Sequence, residues 1–351
     1  MTEWLPMFVL GIVLMEAGMG RAKGATHCFV KGLVTFAVGA LIGAVGNDLR
    51  GALLTGATAT LATIGLGDRV TLSAAAALAV GIAIVHRMFA TFDRFIGATM
   101  ALPEPLTALQ GMQRWLASNW LMDYGGVWSV HALAGGAALG ALMAVGPRIG
   151  RYTRNGAPAA MPAHNLPMAG MGTVALWAGL QAFSAPLWWA ASYSAFSALL
   201  AALLWTRWRF GKTDPSFAFT AFWAGSVAGL ASSVPLAASI VTGALAGVVA
   251  VAVSLRLDKR FVDDPVGVVA AEGVAPLLGL IAQWVWRTAP LGSGLVCWAG
   301  AFGVGFAVAR LVGRLLWWLG ALRPAPADEL AGVDQRLYGI AAYPEFELRE
   351  A

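Results

Sequence analysis

Two ionisable side chains stand where so apolar a chain has least use for them. His131 follows Asp123 by eight residues and Glu272 follows Asp264 by eight residues, each within a run of alanine, glycine and valine. In a helix, eight residues at about 1.5 Å each place the imidazole or the carboxyl roughly 12 Å beyond the helix start. At that depth in hydrocarbon a carboxyl costs roughly 2.5–3.5 kcal/mol even on lenient insertion scales, so it needs a partner. An imidazole and a carboxyl in contact can share a proton or pass it on. The same pair can also serve only as a buried hydrogen bond that fixes helix packing.

The elements that carry these groups are membrane helices. The chain has 351 residues, of which 59% are hydrophobic and 12% charged, and its mean hydropathy is +0.72, the profile of an all-α polytopic membrane protein. Many of the 43 glycines fall inside apolar runs, which suits closely packed membrane helices. The net charge of +5 needs no nucleic acid, because excess Lys and Arg in cytoplasmic loops is its ordinary origin. Cys28 and Cys297 form no disulfide framework. No metal-ligand cluster, phosphate loop or nucleophile constellation stands out, so no metal, cofactor or enzyme chemistry is expected.

Eleven spans are expected, near 4–20, 32–47, 51–67, 70–90, 125–146, 165–184, 186–206, 216–233, 235–255, 265–286 and 292–320. Basic residues such as Arg148, Arg151, Arg154, Arg207, Arg209, Lys212, Arg256, Lys259 and Arg260 collect in the links after odd-numbered spans. By the positive-inside rule the amino terminus is then outside the cell membrane, and the tail at 321–351 is cytoplasmic. The link at 91–120 is expected to be external and to hold a short interfacial helix. The amino terminus reads as the first membrane helix and not as a cleaved leader.

An internal repeat divides the membrane domain, 1–320. LPMFVLGIVLMEAG at 5–18 matches LPMAGMGTVALWAG at 166–179 without a gap. Asp123, Gly126, Val127, His131 and Ala134 match Asp264, Gly267, Val268, Glu272 and Ala275. Five spans per unit is odd, so repeat two (about 165–286) is inverted relative to repeat one (about 4–146), and 292–320 is a final helix. Sites in such folds lie where the units meet near the midplane, which is where His131 and Glu272 fall.

At these residues the chain resembles the ammonium transporter family, the Amt/Mep/Rh superfamily, over nearly its whole length. The resemblance is carried by EAGMGRAK after span 1, D-Y-G-G-x-x-x-x-H at 123–131, G-P-R-I-G-R at 146–151, P-x-H-N-L-P at 162–167, S-V-A-G-L at 226–230, D-D-P at 263–265 and G-V-D-x-x-x-Y-G-I-A-A-Y at 332–343. It implies a homotrimer in the lipid bilayer with one apolar pore per subunit. Ammonium sheds its proton at the entry, ammonia crosses, and two histidines relay the proton. It also implies that the tail is where a cytoplasmic regulatory protein would bind. His131 matches the first pore histidine, Asp123 the acid that orders the outer mouth, and Phe183 the inner member of an aromatic gate. On pattern alone Phe183 reads as a core aromatic.

The chain departs from the family pattern at several places. Glu272 stands where the second histidine belongs. Arg50, Gly51, Ala52 and Leu53 occupy the region of the outer gate phenylalanine, and Ser184, Ala185, Pro186 and Leu187 follow Phe183. Tyr338 and Ile340 replace a histidine and a glutamate in the tail. The tryptophan of the outer cation site has only Trp115 and Trp120 as candidates. The expected function is a transporter or channel for ammonium/ammonia with a His-Glu pair. The alternatives are a non-conducting ammonium sensor or interaction protein, and a neutral-gas channel of the Rh kind for ammonia or carbon dioxide. Of the other histidines, His86 and His27 read as membrane-surface residues, and His164 as a residue that orients the start of span 6.

Overall fold

The computed structural model describes residues 2–45, 48–100, 107, 110, 111, 123–232, 234–287 and 291–344. Among them the chain is helical, with one isolated bridge between Tyr152 and Pro158. The membrane domain contains α1 (Leu5–Met19), α2 (Ala25–Gly43), α3 (Leu49–Thr63), α4 (Leu72–Met100) and α5 (Val127–Val145), then α6 (Leu166–Gly179), α7 (Trp188–Phe210), α8 (Pro215–Ser232), α9 (Leu236–Asp258), α10 (Val269–Arg287) and α11 (Leu291–Trp318). The short α12 (Pro326–Ala331) and α13 (Val333–Tyr338) follow. The chain is a multi-pass membrane protein. The helices α2, α4, α5, α7, α9, α10 and α11 are each long and apolar enough to cross a bilayer, and α1, α3, α6 and α8 lie at the remaining expected spans.

One boundary differs from the sequence expectation. α4 does not stop near residue 90 but continues to Met100, so Arg94 lies on a helix and not in a link. Nothing in 90–100 breaks a helix, and the next proline is Pro103. The interfacial helix expected in the 91–120 link falls largely outside the described residues, as do Trp115 and Trp120.

The match between 5–18 and 166–179 has a spatial meaning. α1 and α6 pack against each other antiparallel, and their matched glycines make matched contacts. A Cβ on Gly11 would lie 2.2 Å from the Leu176 nitrogen, and a Cβ on Gly172 would lie 2.5 Å from the Met15 nitrogen. One on Gly18 would lie 2.5 Å from the Ala169 nitrogen, and one on Gly179 2.2 Å from the Phe8 nitrogen. Shifting 11, 15, 8 and 18 by 161 gives 172, 176, 169 and 179, so each contact is the reciprocal of the other. Backbone meets backbone at all four points, which only a residue without a side chain permits.

A second pair of elements is built alike. α5 and α10 each open with a wide π-helical turn, Val127–Ala132 and Val269–Val274. Before each turn a glycine takes a left-handed conformation, Gly126 at φ 75° and Gly267 at φ 73°. Each turn is also capped by an aspartate. Asp123 accepts from the Trp128 N–H at 3.0 Å, the Ser129 N–H at 3.3 Å and the Ser129 hydroxyl. Asp264 accepts from the N–H groups of Gly267, Val268 and Val269 at 2.9, 3.1 and 3.0 Å. A carboxylate there satisfies orphan helix donors and complements the helix dipole. The wide turn adds one residue to the ring, which re-aims the side chains it carries. Those side chains include His131 and Glu272.

The face that carries the tail is tied together by ion pairs. Arg69 and Arg148 both bind Asp263, at 3.2 and 2.7 Å. Glu329 of α12 is fully buried and accepts from Arg21, Arg323 and the Ile149 N–H. Asp334 of α13 caps α2 by accepting from the Thr26 and His27 N–H groups at 2.9 and 2.7 Å.

Candidate functional site

The helix starts bring the acid and the base together. His131 and Glu272 are both fully buried, and the His131 Nδ1 lies 2.5 Å from the Glu272 Oε2. The other carboxylate oxygen, Oε1, accepts from the indole N–H of Trp223 on α8 at 2.7 Å. The His131 Nε2 is buried and without a hydrogen-bond partner among the described residues. α5 and α10 approach closely enough for this because they cross at glycine: a Cβ on Gly135 would lie 2.3 Å from the Gly273 nitrogen.

Phe183 covers the histidine. Its ring centroid is 5.3 Å from that of His131 at a tilt of 32°, and 5.0 Å from that of Phe8, edge on. Beyond Phe183 a cavity of about 280 Å³ opens, lined by the starts of α3 and α5 and the later part of α4, including Asp48, Arg50, His86, Arg87 and Asp123. The Arg50 Nη2 donates to the Phe183 carbonyl at 3.2 Å, so the residue found in place of an aromatic holds the backbone of Phe183. A second cavity, of about 380 Å³, is lined by the starts of α8 and α10 and the end of α9, including Asp214, Asp258, Asp263 and Asp264. α5 runs from the first cavity at Asp123 to the second at Arg148, so the two lie at opposite ends of the bundle with the His131–Glu272 pair between them.

At the second cavity burial pushes the Asp263 carboxyl up, but the Arg69 and Arg148 guanidiniums together hold it well below the usual carboxylate range. The three remaining histidines serve the fold. His86 is buried, lines the first cavity and bonds the Thr55 hydroxyl at 2.9 Å, in place of the membrane surface expected for it. His27, also expected at the surface, is fully buried between the Val70 carbonyl at 2.9 Å and the Tyr338 hydroxyl at 3.3 Å. His164 lies just before α6, where Asn165 supplies the cap by accepting from the Met168 N–H, while the His164 Nε2 meets the Tyr343 hydroxyl at 2.9 Å. Trp223 is the site residue that the sequence did not single out. The available signal was chemical: a buried carboxylate has two oxygens and His131 serves one.

A model of the Ammonium Transporter Family matches residues 50–343. The ammonium transporter Amt2 of Archaeoglobus fulgidus is 30% identical, over 99% of this chain and 87% of that protein. Among solved structures a sensor Amt protein superposes with a TM-score of 0.80 at 23% identity, covering 96% of each chain. Rh50 of Nitrosomonas europaea, from the Rhesus protein family of channels, superposes at 0.72 and 17% identity, covering 97% of each. These two establish the shared fold.

Proposed function

The chain belongs to the ammonium transporter family, and from that premise we propose that it moves ammonium nitrogen through a pore in each subunit, with His131 and Glu272 acting as one proton acceptor. The mouth at Phe183 is the outer one and the mouth at Asp263 the inner one. The chain crosses the cell membrane eleven times with its tail in the cytoplasm, folds as inverted repeats of about 4–146 and 165–286, and assembles as a homotrimer. The observation that carries the reading is the His131 Nε2, buried beneath Phe183 and unpartnered among the described residues, while Nδ1 is engaged by Glu272.

The proton count follows from the donors. Indole is a donor only, so the Oε1 of Glu272 is an acceptor in every state. With Glu272 ionised and the Nδ1 proton donated to Oε2, Nε2 carries a lone pair and the pair has a charge of −1. Ammonium arriving past Phe183 gives up one N–H bond, whose electron pair stays on the ammonia. A new Nε2–H bond forms and the pair becomes neutral. The proton can lie on Nδ1 or Oε2 without moving any heavy atom, and Nε2–H is then a donor to the ammonia lone pair. Two histidines would pass between neutral and +1; this pair passes between −1 and neutral, so it never places an uncompensated cation in the membrane interior.

The test is the current from proteoliposomes after an ammonium jump. Wild type is expected to conduct, Glu272→Ala to lose most of the current, and Glu272→His to keep part of it, since a neutral imidazole costs less to bury than an ionised carboxylate. A folded, trimeric wild type without current would give precedence to the sensor reading. Arg50 favours one further variant of the function. A fixed guanidinium at the mouth opposes cation entry, which suits passage of neutral ammonia as in a gas channel. Uptake of ammonia without current distinguishes that case.

A further inference from the structure

We propose, resting on the proton-acceptor reading above, that Trp223 is a positioning residue: its indole N–H pins the Glu272 carboxyl so that the exchangeable proton stays on the edge facing His131. The indole nitrogen lies 2.7 Å from Oε1, and both side chains are fully buried. An N–H aimed at Oε1 excludes a proton from that oxygen, since two donor hydrogens cannot share the line between the two atoms. Oε2 is then the only oxygen able to take the proton, and it faces Nδ1 at 2.5 Å. Nε2 is left as the atom turned toward incoming ammonium. Without the indole the carboxyl can rotate and hold its proton on Oε1, out of line with the imidazole, and the pair would no longer act as one base.

Among the described residues the surroundings offer no substitute. α5 contributes His131 at this level and α8 contributes Trp223. On α9 the charged groups, Arg256 and Asp258, sit at the helix end. On α11, Trp298 and Phe302 pack beside Gly273, while Arg310 is eight residues beyond Phe302, roughly 12 Å along the helix. Trp298 donates to the Gly273 carbonyl at 2.9 Å, which steadies the backbone but does not reach the carboxyl.

The experiment uses the full chain in lipid. Infrared titration follows the carboxyl band assigned to Glu272 by its loss in Glu272→Gln, and the pH profile of the ammonium current is recorded in parallel. Trp223→Phe, which keeps an aromatic ring and removes the donor, is expected to move the midpoint of the carboxyl band up by about one pH unit, a tenfold change in proton affinity. Trp223→Gln, which restores an N–H, should stay close to wild type, and Trp223→Leu, similar in volume to Gln, should shift like Phe. The Gln and Leu comparison stands by itself if Trp223→Phe does not fold. Equal midpoints in Gln and Leu variants, or a lowered current with an unmoved midpoint, would make Trp223 a packing residue and overturn the assignment. A shifted band in a protein that carries no current would refute the transport reading and leave the assignment of Trp223 in place.

Discussion

Glu272→Gln separates proton chemistry from packing. The amide has the shape of the carboxyl, and both existing contacts have a use for it: its oxygen accepts from Trp223, and its NH₂ donates to the His131 Nδ1. Since neither bond is lost, the change is expected to cost about 1 kcal/mol or less of stability. The functional cost is much larger. With Nδ1 accepting, Nε2 must carry the ring proton, and taking another would create an imidazolium with no counter-charge. The lost attraction between unit charges about 4 Å apart is roughly 4 kcal/mol at an effective dielectric constant of 20. That corresponds to about three powers of ten in proton acceptance. The assay pairs thermal unfolding of the purified protein with ammonium-jump current in proteoliposomes, and the expected outcome is an unfolding temperature within a few degrees of wild type and current at background. Full current in a normally folded Glu272→Gln would falsify the proton-acceptor role. A large drop in stability would show that the amide does not reproduce the bonds on which the argument depends.

Further outcomes follow from other parts of the structure. His131→Ala leaves the buried Glu272 with Trp223 as its one side-chain hydrogen-bond partner among the described residues, and about 3–5 kcal/mol of destabilisation is expected, read from the unfolding midpoint. Gly172→Leu forces a side chain against α1 backbone atoms that cannot move aside, so the yield of folded protein on size exclusion should collapse, whereas Gly300→Leu, with open space around it, should not matter. Asp263→Asn leaves Arg69 and Arg148 short of their counter-ion and should lower stability at neutral pH. Because the folded Asp263 carboxyl is held below its unfolded value, its contribution is present above the unfolded value, near pH 4, and is lost as pH falls toward the folded one. The variant should therefore show a flatter acid limb below about pH 4 in the same melt. A reporter fused after Arg349 should behave as cytoplasmic and one in the 91–120 link as external; the reverse pattern refutes the assignment of mouths.

The meeting of His131 and Glu272 was legible because it depends on arithmetic that the chain spells out: equal offsets from two aspartates in two apolar helices. The roles of those aspartates were less visible, since a π turn has no propensity signature and depends on a glycine adopting a left-handed conformation beside an Asp side chain. Trp223 was hidden among 15 tryptophans, most of which have packing reasons to be where they are. His86, beside Arg87 at an outer helix end, and His27, in a basic inner loop, both have sequence surroundings that look like a membrane surface. Thr55 meets His86 and Tyr338 of α13 meets His27, so neighbours distant in sequence engage both. Arg50 was seen as a missing aromatic; that it binds the Phe183 backbone is a tertiary fact that no local pattern encodes.

The reciprocal contacts of α1 with α6, and the twice-used aspartate-capped turn, bear on direction. A molecule entering from either end meets the same order of features: a cavity, an aspartate-capped helix start, a wide turn, and then one half of the acid–base pair. A passage whose two halves are near copies, end for end, has an energy profile close to its own mirror image, and such a profile cannot rectify. Phe183 and its Arg50 tether break the symmetry on one side, where the other cavity has Met19. In the proposed pore that ring, its Arg50 tether and the difference between an imidazole and a carboxyl are what tell one end from the other, and the sign of net flow is set by the two solutions it separates.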